Sequence, residues 1–173
     1  DPLAEGVLVL GVGDGCKQLS TFLQCSKEYI VTAKFGEATD TYDAEGTVIQ
    51  KCKTEHLNKQ LIQDTLQKFK GHITQTPPLY SAVRLQGKRL YDYARLKLDL
   101  PEPIKTRQVF VEDIQLLDFH ENSCKIRVVC GGGTYIRSIV HDMATQMETC
   151  AHVTALIRTR QGDFTIDDVY KLE

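Results

Sequence analysis

Residues 27–35 alternate so regularly that they leave one conformation open. Tyr29, Val31, Ala33 and Phe35 fall on one side, and Ile30, Thr32 and Lys34 on the other. A period of two is what an extended strand with one buried face produces. Two more extended runs, 109–119 and 125–130, flank the polar turn His120-Glu121-Asn122-Ser123 and predict a hairpin. Helical spacing runs over 57–70, with Leu57, Leu61, Leu66 and Phe69 on one stripe and Gly71 as the stop. After Gly131-Gly132-Gly133 lets the chain turn sharply, another helix carries Ile136, Ile139, Val140, Met143 and Met147 on its apolar face. Strands and helices do not alternate strictly. The expected fold class is therefore α+β, a mixed, largely antiparallel sheet flanked by helices, with 1–173 as one domain.

Shorter segments fill in the order. Residues 7–11 read as a short buried strand, followed by Gly11, Gly13 and Gly15 and a helical face of Leu19, Phe22 and Leu23. The glycine run lacks the third spaced glycine of a dinucleotide loop, so it reads as a turn. Glu37, Asp40, Asp43 and Glu45 cluster without a Lys or Arg among them. Their spacing is not that of a calcium loop, and a solvated turn leading to a returning strand at 47–49 is the better reading. Residues 153–158 read as a second short helix before Gln161-Gly162-Asp163-Phe164.

Charge sets the next limit. The net charge of −2 gives no bulk attraction to nucleic acid, yet a local basic face can supply it. From Arg84 to Arg107 there are seven Lys or Arg against three acids, with Tyr80, Tyr91 and Tyr93 in or beside the stretch. Cations interleaved with tyrosines suit phosphate contacts and base stacking. No apolar run reaches the ~18 residues of a membrane span, and no signal-peptide pattern opens the chain. The six cysteines have no C-x-x-C spacing, which disfavours zinc and predicts reduced thiols with no role beyond packing.

Four segments together resemble the TruB-type pseudouridine synthases. Asp1-Pro2-Leu3-Ala4-Glu5-Gly6 is similar to the D-P-x-A-x-G end of the family's catalytic loop. Lys27-Glu28-Tyr29 with Gly36, Thr39-Asp40-Thr41, Asp43 and Gly46 resembles its K-x-Y…G-x-x-T-x-T-x-D-x-x-G block. Pro77-Pro78-Leu79-Tyr80-Ser81-Ala82, with Gly87, Tyr91, Ala94 and Arg95, resembles P-P-x-Y-S-A…G…Y…A-R, and Gly133-Thr134-Tyr135-Ile136-Arg137-Ser138 resembles G-T-Y-I-R-S. A weaker fifth match is His152-Val153…Leu156…Arg158. The order is the family's and the matches span essentially the whole chain. Arg84 stands where the family often has Lys, and Leu96 where it commonly has Gly.

The resemblance implies an isomerase that converts the T-loop uridine of tRNA, position 55, to pseudouridine without metal or cofactor. It implies Asp1 as the nucleophile, attacking either ribose C1′ or pyrimidine C6. Arg137 becomes the fixed counter-charge that aims Asp1. Tyr29 stacks on the uracil and assists proton removal from C5. Asp43, Tyr135 and Leu156 are expected around the uracil, and Tyr80, Arg84, Lys88, Arg89, Arg95 and Lys97 on the RNA. The basic insertion at about 80–107 is similar to the one with which stand-alone enzymes grip the T-arm, and Cys130-Gly131-Gly132-Gly133 is nearer the eukaryotic stand-alone branch. The expected partners are the tRNA T-arm and T-loop-like mRNA hairpins, with no membrane and a monomeric chain. The expected location is intracellular, in the nucleus or mitochondrion for a eukaryotic chain.

The family's G-H-x-G-[TA]-L segment and its C-terminal RNA-binding domain have no match here. The chain thus reads as an N-terminally truncated fragment, weakened or inactive in isolation. Two rivals stay open: a guide-RNA-dependent synthase of the dyskerin type, and a non-catalytic RNA-binding or tRNA-folding protein with the same fold.

Overall fold

The computed structural model describes residues 1–170, so the last three residues of the expected 1–173 domain lie outside the described part. In chain order the elements are β1 (Ala4–Gly6), a 3-10 turn (Gly13–Gln18) entering α1 (Leu19–Gln24), β2 (Lys27–Phe35), β3 (Glu37–Thr39), β4 (Val48–Lys51) and α2 (Lys59–Gln67). There follow β5 (Gly71–Gln75), β6 (Arg84–Leu85), β7 (Lys88–Arg89), α3 (Leu90–Arg95), β8 (Arg107–His120), β9 (Ser123–Cys130), α4 (Ile136–Gln146), β10 (Ala151–Gln161) and β11 (Phe164–Thr165). The fold is α+β. Its main sheet runs β1-β10-β2-β9-β8-β5, with β11 on β10. Among the described strands of this sheet, β1 and β10 pair in parallel and the other pairings are antiparallel.

The alternation in β2 sets the core. Val31, Ala33 and Phe35 are buried and meet Ile126, Cys124 and Val128 of β9 in one cluster with Ile136, Ile139, Val140 and Met143 of α4 and Ile62 and Leu66 of α2. Each large side chain buried this fully contributes on the order of 1.5–3 kcal/mol. The first helix of the sequence reading is shorter than 57–70. Asn58 caps α2 by accepting from the Leu61 N–H at 2.9 Å, and this leaves Leu57 outside.

The basic insertion carries a small core of its own. Leu85, Leu90 and Tyr93 are buried against Leu79, Val83, Leu100 and Ile104. Arg95 is followed by Leu96 in ordinary backbone, and the left-handed residue of the turn is Lys97, at φ 51°.

Three expectations are corrected. Residues 153–158 are not a helix but the middle of β10, hydrogen-bonded to β1 on one side and β2 on the other. β10 is paired along both edges, and bulges at Val153/Ala155 and Arg158/Arg160 break the period that would have marked it as a strand. The strand expected at 7–11 is instead β1, three residues earlier. Val7 still donates to the Arg158 carbonyl at 2.8 Å, after which Leu8 and Leu10 leave the sheet and are exposed. Cys52 and Cys150 form a disulfide rather than standing as thiols. They are 98 residues apart in sequence, but the exit of β4 and the entry to β10 bring their Cα atoms to 5.7 Å, inside the bonding range. No helix among the described residues is long and apolar enough to cross a membrane.

Candidate active site

The centre of the site is a buried guanidinium. Arg137 lies in the first turn of α4 and is 5% exposed. Its Nη2 is 2.5 Å from Asp1 Oδ1 and donates to the Tyr80 carbonyl at 3.0 Å. Its Nη1 donates to the Thr41 carbonyl at 2.7 Å and stands 3.5 Å from Asp43 Oδ2. Three separate segments therefore meet on one planar fork, a task for which lysine has the wrong shape. Burial pushes the Arg137 pKa down, opposed first by the charge of Asp43 and then by Tyr135.

Asp43 belongs to the acidic turn, and here the solvated reading fails. It is 3% exposed. Its Oδ1 accepts from Thr41 Oγ1 at 2.7 Å and from the Glu45 N–H at 3.0 Å, and Thr39 Oγ1 donates to its carbonyl at 2.6 Å. The turn is also pinned to β10, where Val153 donates to Tyr42 O and accepts from Ala44 N. Asp1 sits just before β1, and its carbonyl accepts from Ala4 N at 3.1 Å.

Sheet register gathers the other expected residues. Leu156 pairs with Ala4 in β1 and Val31 in β2, and Arg158 pairs with Tyr29. Tyr29, Leu156 and Arg158 thus share the core face of the sheet, on which α4 packs. Leu156 is 4% exposed. Tyr29 is half-buried, and burial raises its pKa while the neighbouring Arg158 works against that rise. Lys27 fixes the start of β2 by donating to the Leu23 and Cys25 carbonyls at 2.9 and 3.0 Å.

Tyr135 stands directly before α4. Gln75 clamps its backbone, accepting from Tyr135 N at 2.8 Å and donating to Tyr135 O at 2.9 Å. The guanidinium carbon of Arg107 lies 4.7 Å from the centre of the Tyr135 ring.

The cations expected on the RNA stand apart from this centre. Arg84, Lys88, Arg89, Arg95 and Lys97 are all exposed on the insertion. Arg84 donates to the Gly87 carbonyl within its own hairpin, and Arg89 and Arg95 both lie over Tyr91. Tyr93 is no stacking platform: it is buried, with its hydroxyl on the Leu85 carbonyl. Tyr80 joins the site through its carbonyl. A groove of about 370 Å³ between Gly6–Leu10 and Phe164–Tyr170 is lined by none of Asp1, Tyr29 or Arg137.

Sequence reasoning missed Gln75 and Thr41, and took Arg107 only as the last cation of the basic stretch, with no place beside Tyr135. Thr41 precedes Asp43 by two, and a hydroxyl at that offset is an available local partner for the carboxylate. Gln75 carries no such signal, because its partner is 60 residues away.

Comparison with known proteins gives the family. A family model described as TruB family pseudouridylate synthase (N terminal domain) matches residues 1–136. The chain is 39% identical over 173 residues to tRNA pseudouridine synthase B of Phocaeicola vulgatus, covering all of this chain and 73% of that protein. It is 43% identical over 166 residues to pseudouridylate synthase TRUB1 of Mus musculus, covering 96% of this chain and 49% of that one. Among solved structures, a chain of a Cbf5-Nop10-Gar1 complex superposes with a TM-score of 0.70 at 25% identity, over 95% of this chain and 39% of that chain.

Proposed function

The chain belongs to the TruB family of pseudouridylate synthases, and we propose that it isomerises the T-loop uridine of tRNA, position 55, to pseudouridine, with T-loop-like mRNA hairpins as further substrates. The observation that carries the reading is the convergence of Asp1 and Asp43 on the one buried guanidinium of Arg137. Asp43 is enclosed, whereas the Asp1 side chain is 26% exposed and open to a ligand.

The chemistry balances within the nucleotide. The N1–C1′ bond breaks, the uracil turns, a C5–C1′ bond forms, C5 loses a proton and N1 gains one. Asp1 is the nucleophile for this exchange, and Arg137 sets its direction. Tyr29 takes part as a neutral hydroxyl, since burial raises its pKa, and hands the C5 proton on. Leu156 and Tyr135 enclose the base. Arg84, Lys88, Arg89, Arg95 and Lys97 hold the T-arm by its phosphates, and Tyr80 supports Arg137.

Tritium release from an unmodified T-arm transcript labelled at uridine C5 tests this, with the chain extended upstream by the family's G-H-x-G-[TA]-L segment as the wild type and Asp1→Asn beside it. Release mapped to the T-loop uridine, and lost in the variant while binding survives, is the expected result. Tight binding with no release from the wild type would move the assignment to a guide-dependent enzyme or a tRNA-folding protein.

A further inference from the structure

We propose that Arg107 is a phosphodiester anchor beside the uridine pocket, an inference that rests on reading the chain as an RNA-modifying enzyme. Among the arginines, most are visibly spent. Arg127 is paired with Glu28 and Asp113, Arg137 with Asp1 and Asp43, and Arg84, Arg158 and Arg160 donate to carbonyls. Arg89 and Arg95 make no such bond but are exposed, where water satisfies them.

Arg107 differs from both groups. It is half-buried, and its Nε and Nη2 are buried with no hydrogen-bond partner. Among the described residues it has no carboxylate within ion-pair distance. A buried donor left unmade costs roughly 1–3 kcal/mol, so this guanidinium is held here with no protein counter-charge to offset its burial.

The guanidinium is also held in place. Arg107 opens β8 directly opposite Gln75 of β5, and Gln75 is the residue that clamps the Tyr135 backbone. Arg107 stacks on the Tyr135 ring at 4.7 Å, two residues from Arg137. The strand pair therefore fixes ring and cation together. The remaining fork atom, Nη1, is neither buried nor bonded, and it faces Gly133. A Cβ at that glycine, which has a φ of 79°, would lie 3.8 Å from it. Absence of a side chain at 133 keeps the approach to Nη1 open.

An uncompensated charge, pre-stacked and opened on one edge, fits an anion arriving from solution. The exposed cations of the insertion make a polyanion the fitting source. Arg107 thus contacts a backbone phosphate of the RNA through Nη1, and the stack on Tyr135 couples that contact to the pocket wall.

The test measures binding of a fluorescent, unmodified T-arm stem-loop across a range of KCl, for wild type, Arg107→Gln and Arg107→Lys. Loss of one phosphate contact reduces the log–log salt slope by about 0.7–0.9. The expected result is that reduction for Arg107→Gln, with affinity down several-fold, and the wild-type slope for Arg107→Lys. Arg89→Glu/Lys97→Glu, on the insertion, flattens the slope independently. A role limited to propping Tyr135 would leave the slope unchanged in Arg107→Gln and lower turnover alike in both Arg107 variants; that outcome sinks the proposal. If Arg107→Gln fails to fold, a methylphosphonate scan of the stem-loop decides with wild type and Arg107→Lys. One position must weaken wild-type binding, and no such position overturns the anchor. Displacement of the stem-loop by millimolar orthophosphate at constant ionic strength, lost in Arg107→Gln while its slope stays wild-type, assigns the site to free phosphate and overturns the RNA source. Wild type that binds no stem-loop at all removes the enzyme reading itself, whereas an unchanged Arg107→Gln slope removes Arg107 alone.

Discussion

Arg137 and Asp43 face each other at 3.5 Å with side chains only 5% and 4% exposed, while the same guanidinium reaches the more open Asp1. The two carboxylates are therefore unequal partners. Asp43 completes a buried pair, and removing one member of such a pair strands the other charge, at about 3–5 kcal/mol. Asp1, a quarter exposed, contributes to stability only as a near-surface pair does, about 0–1 kcal/mol. Urea unfolding should thus separate Asp43→Ala, strongly destabilised, from Asp1→Asn, nearly unchanged in stability and without turnover. Equal losses of stability in the two variants would contradict this division of roles.

Alkaline pH should expose two buried thiols. Burial pushes Cys124 up to about 12 and Cys130 up to about 11 from an ordinary 9.0. The native state then keeps protons that the unfolded chain gives up, so this stability is complete below pH 9 and falls as pH rises through 11 and 12. Tyr29 adds a fall of the same sign above 10.0, and Lys27, its pKa lowered by burial, acts oppositely below 10.5. Comparing variants isolates the thiols. From pH 8 to 10 the wild type should lose about 1 kcal/mol per thiol more than Cys124→Ala/Cys130→Ala loses. Parallel urea curves for the two proteins at both pH values would count against it.

The Cys52–Cys150 bridge makes a separate claim on stability. Its 98-residue span laces three segments already joined by backbone bonds, Gly36 N to Cys150 O and Cys52 N to Gly36 O. Closing so long a loop restricts the unfolded chain and typically contributes about 2–4 kcal/mol. Dithiothreitol should therefore lower the melting temperature of the wild type to that of Cys52→Ala, and leave Cys52→Ala unmoved. A wild-type melt indifferent to reductant would mean that the bridge is not formed.

These outcomes also mark where the sequence was legible. Local periodicity announced β2, the β8–β9 hairpin and α4, because their apolar residues recur at the strand or helix period. It failed at β10, where two bulges interrupt the repeat. The short motifs around Asp1, Asp43 and Arg137 pointed to residues that do converge, but their separate sequence positions said nothing of the shared guanidinium. Tyr93 looked like a stacking residue because composition cannot tell an exposed ring from the core of a small subdomain. Gln75 and Cys52–Cys150 depend on pairings across 60 and 98 residues, which only the assembled sheet brings together.

Gly6 ties that assembly to the site. It ends β1 at φ 95°, and a Cβ there would run into the carbonyl oxygen of Arg158, the acceptor for Val7 N. Alanine at this position meets both a backbone conformation unfavourable by about 1–2 kcal/mol and a clash with the strand it pairs to. β1 is only three residues long and sits at the sheet edge, so the strain is relieved by its undocking from β10 rather than by global unfolding. Asp1 lies three residues before this strand begins, and undocking moves its carboxylate away from Arg137. Displacement of a reacting group by about 1 Å can lower a rate by about a hundredfold. Gly6→Ala should therefore keep its thermal transition within a few degrees of wild type and lose about that factor in tritium release, with T-arm affinity intact. Wild-type turnover in Gly6→Ala would show that the β1–β10 pairing does not position Asp1.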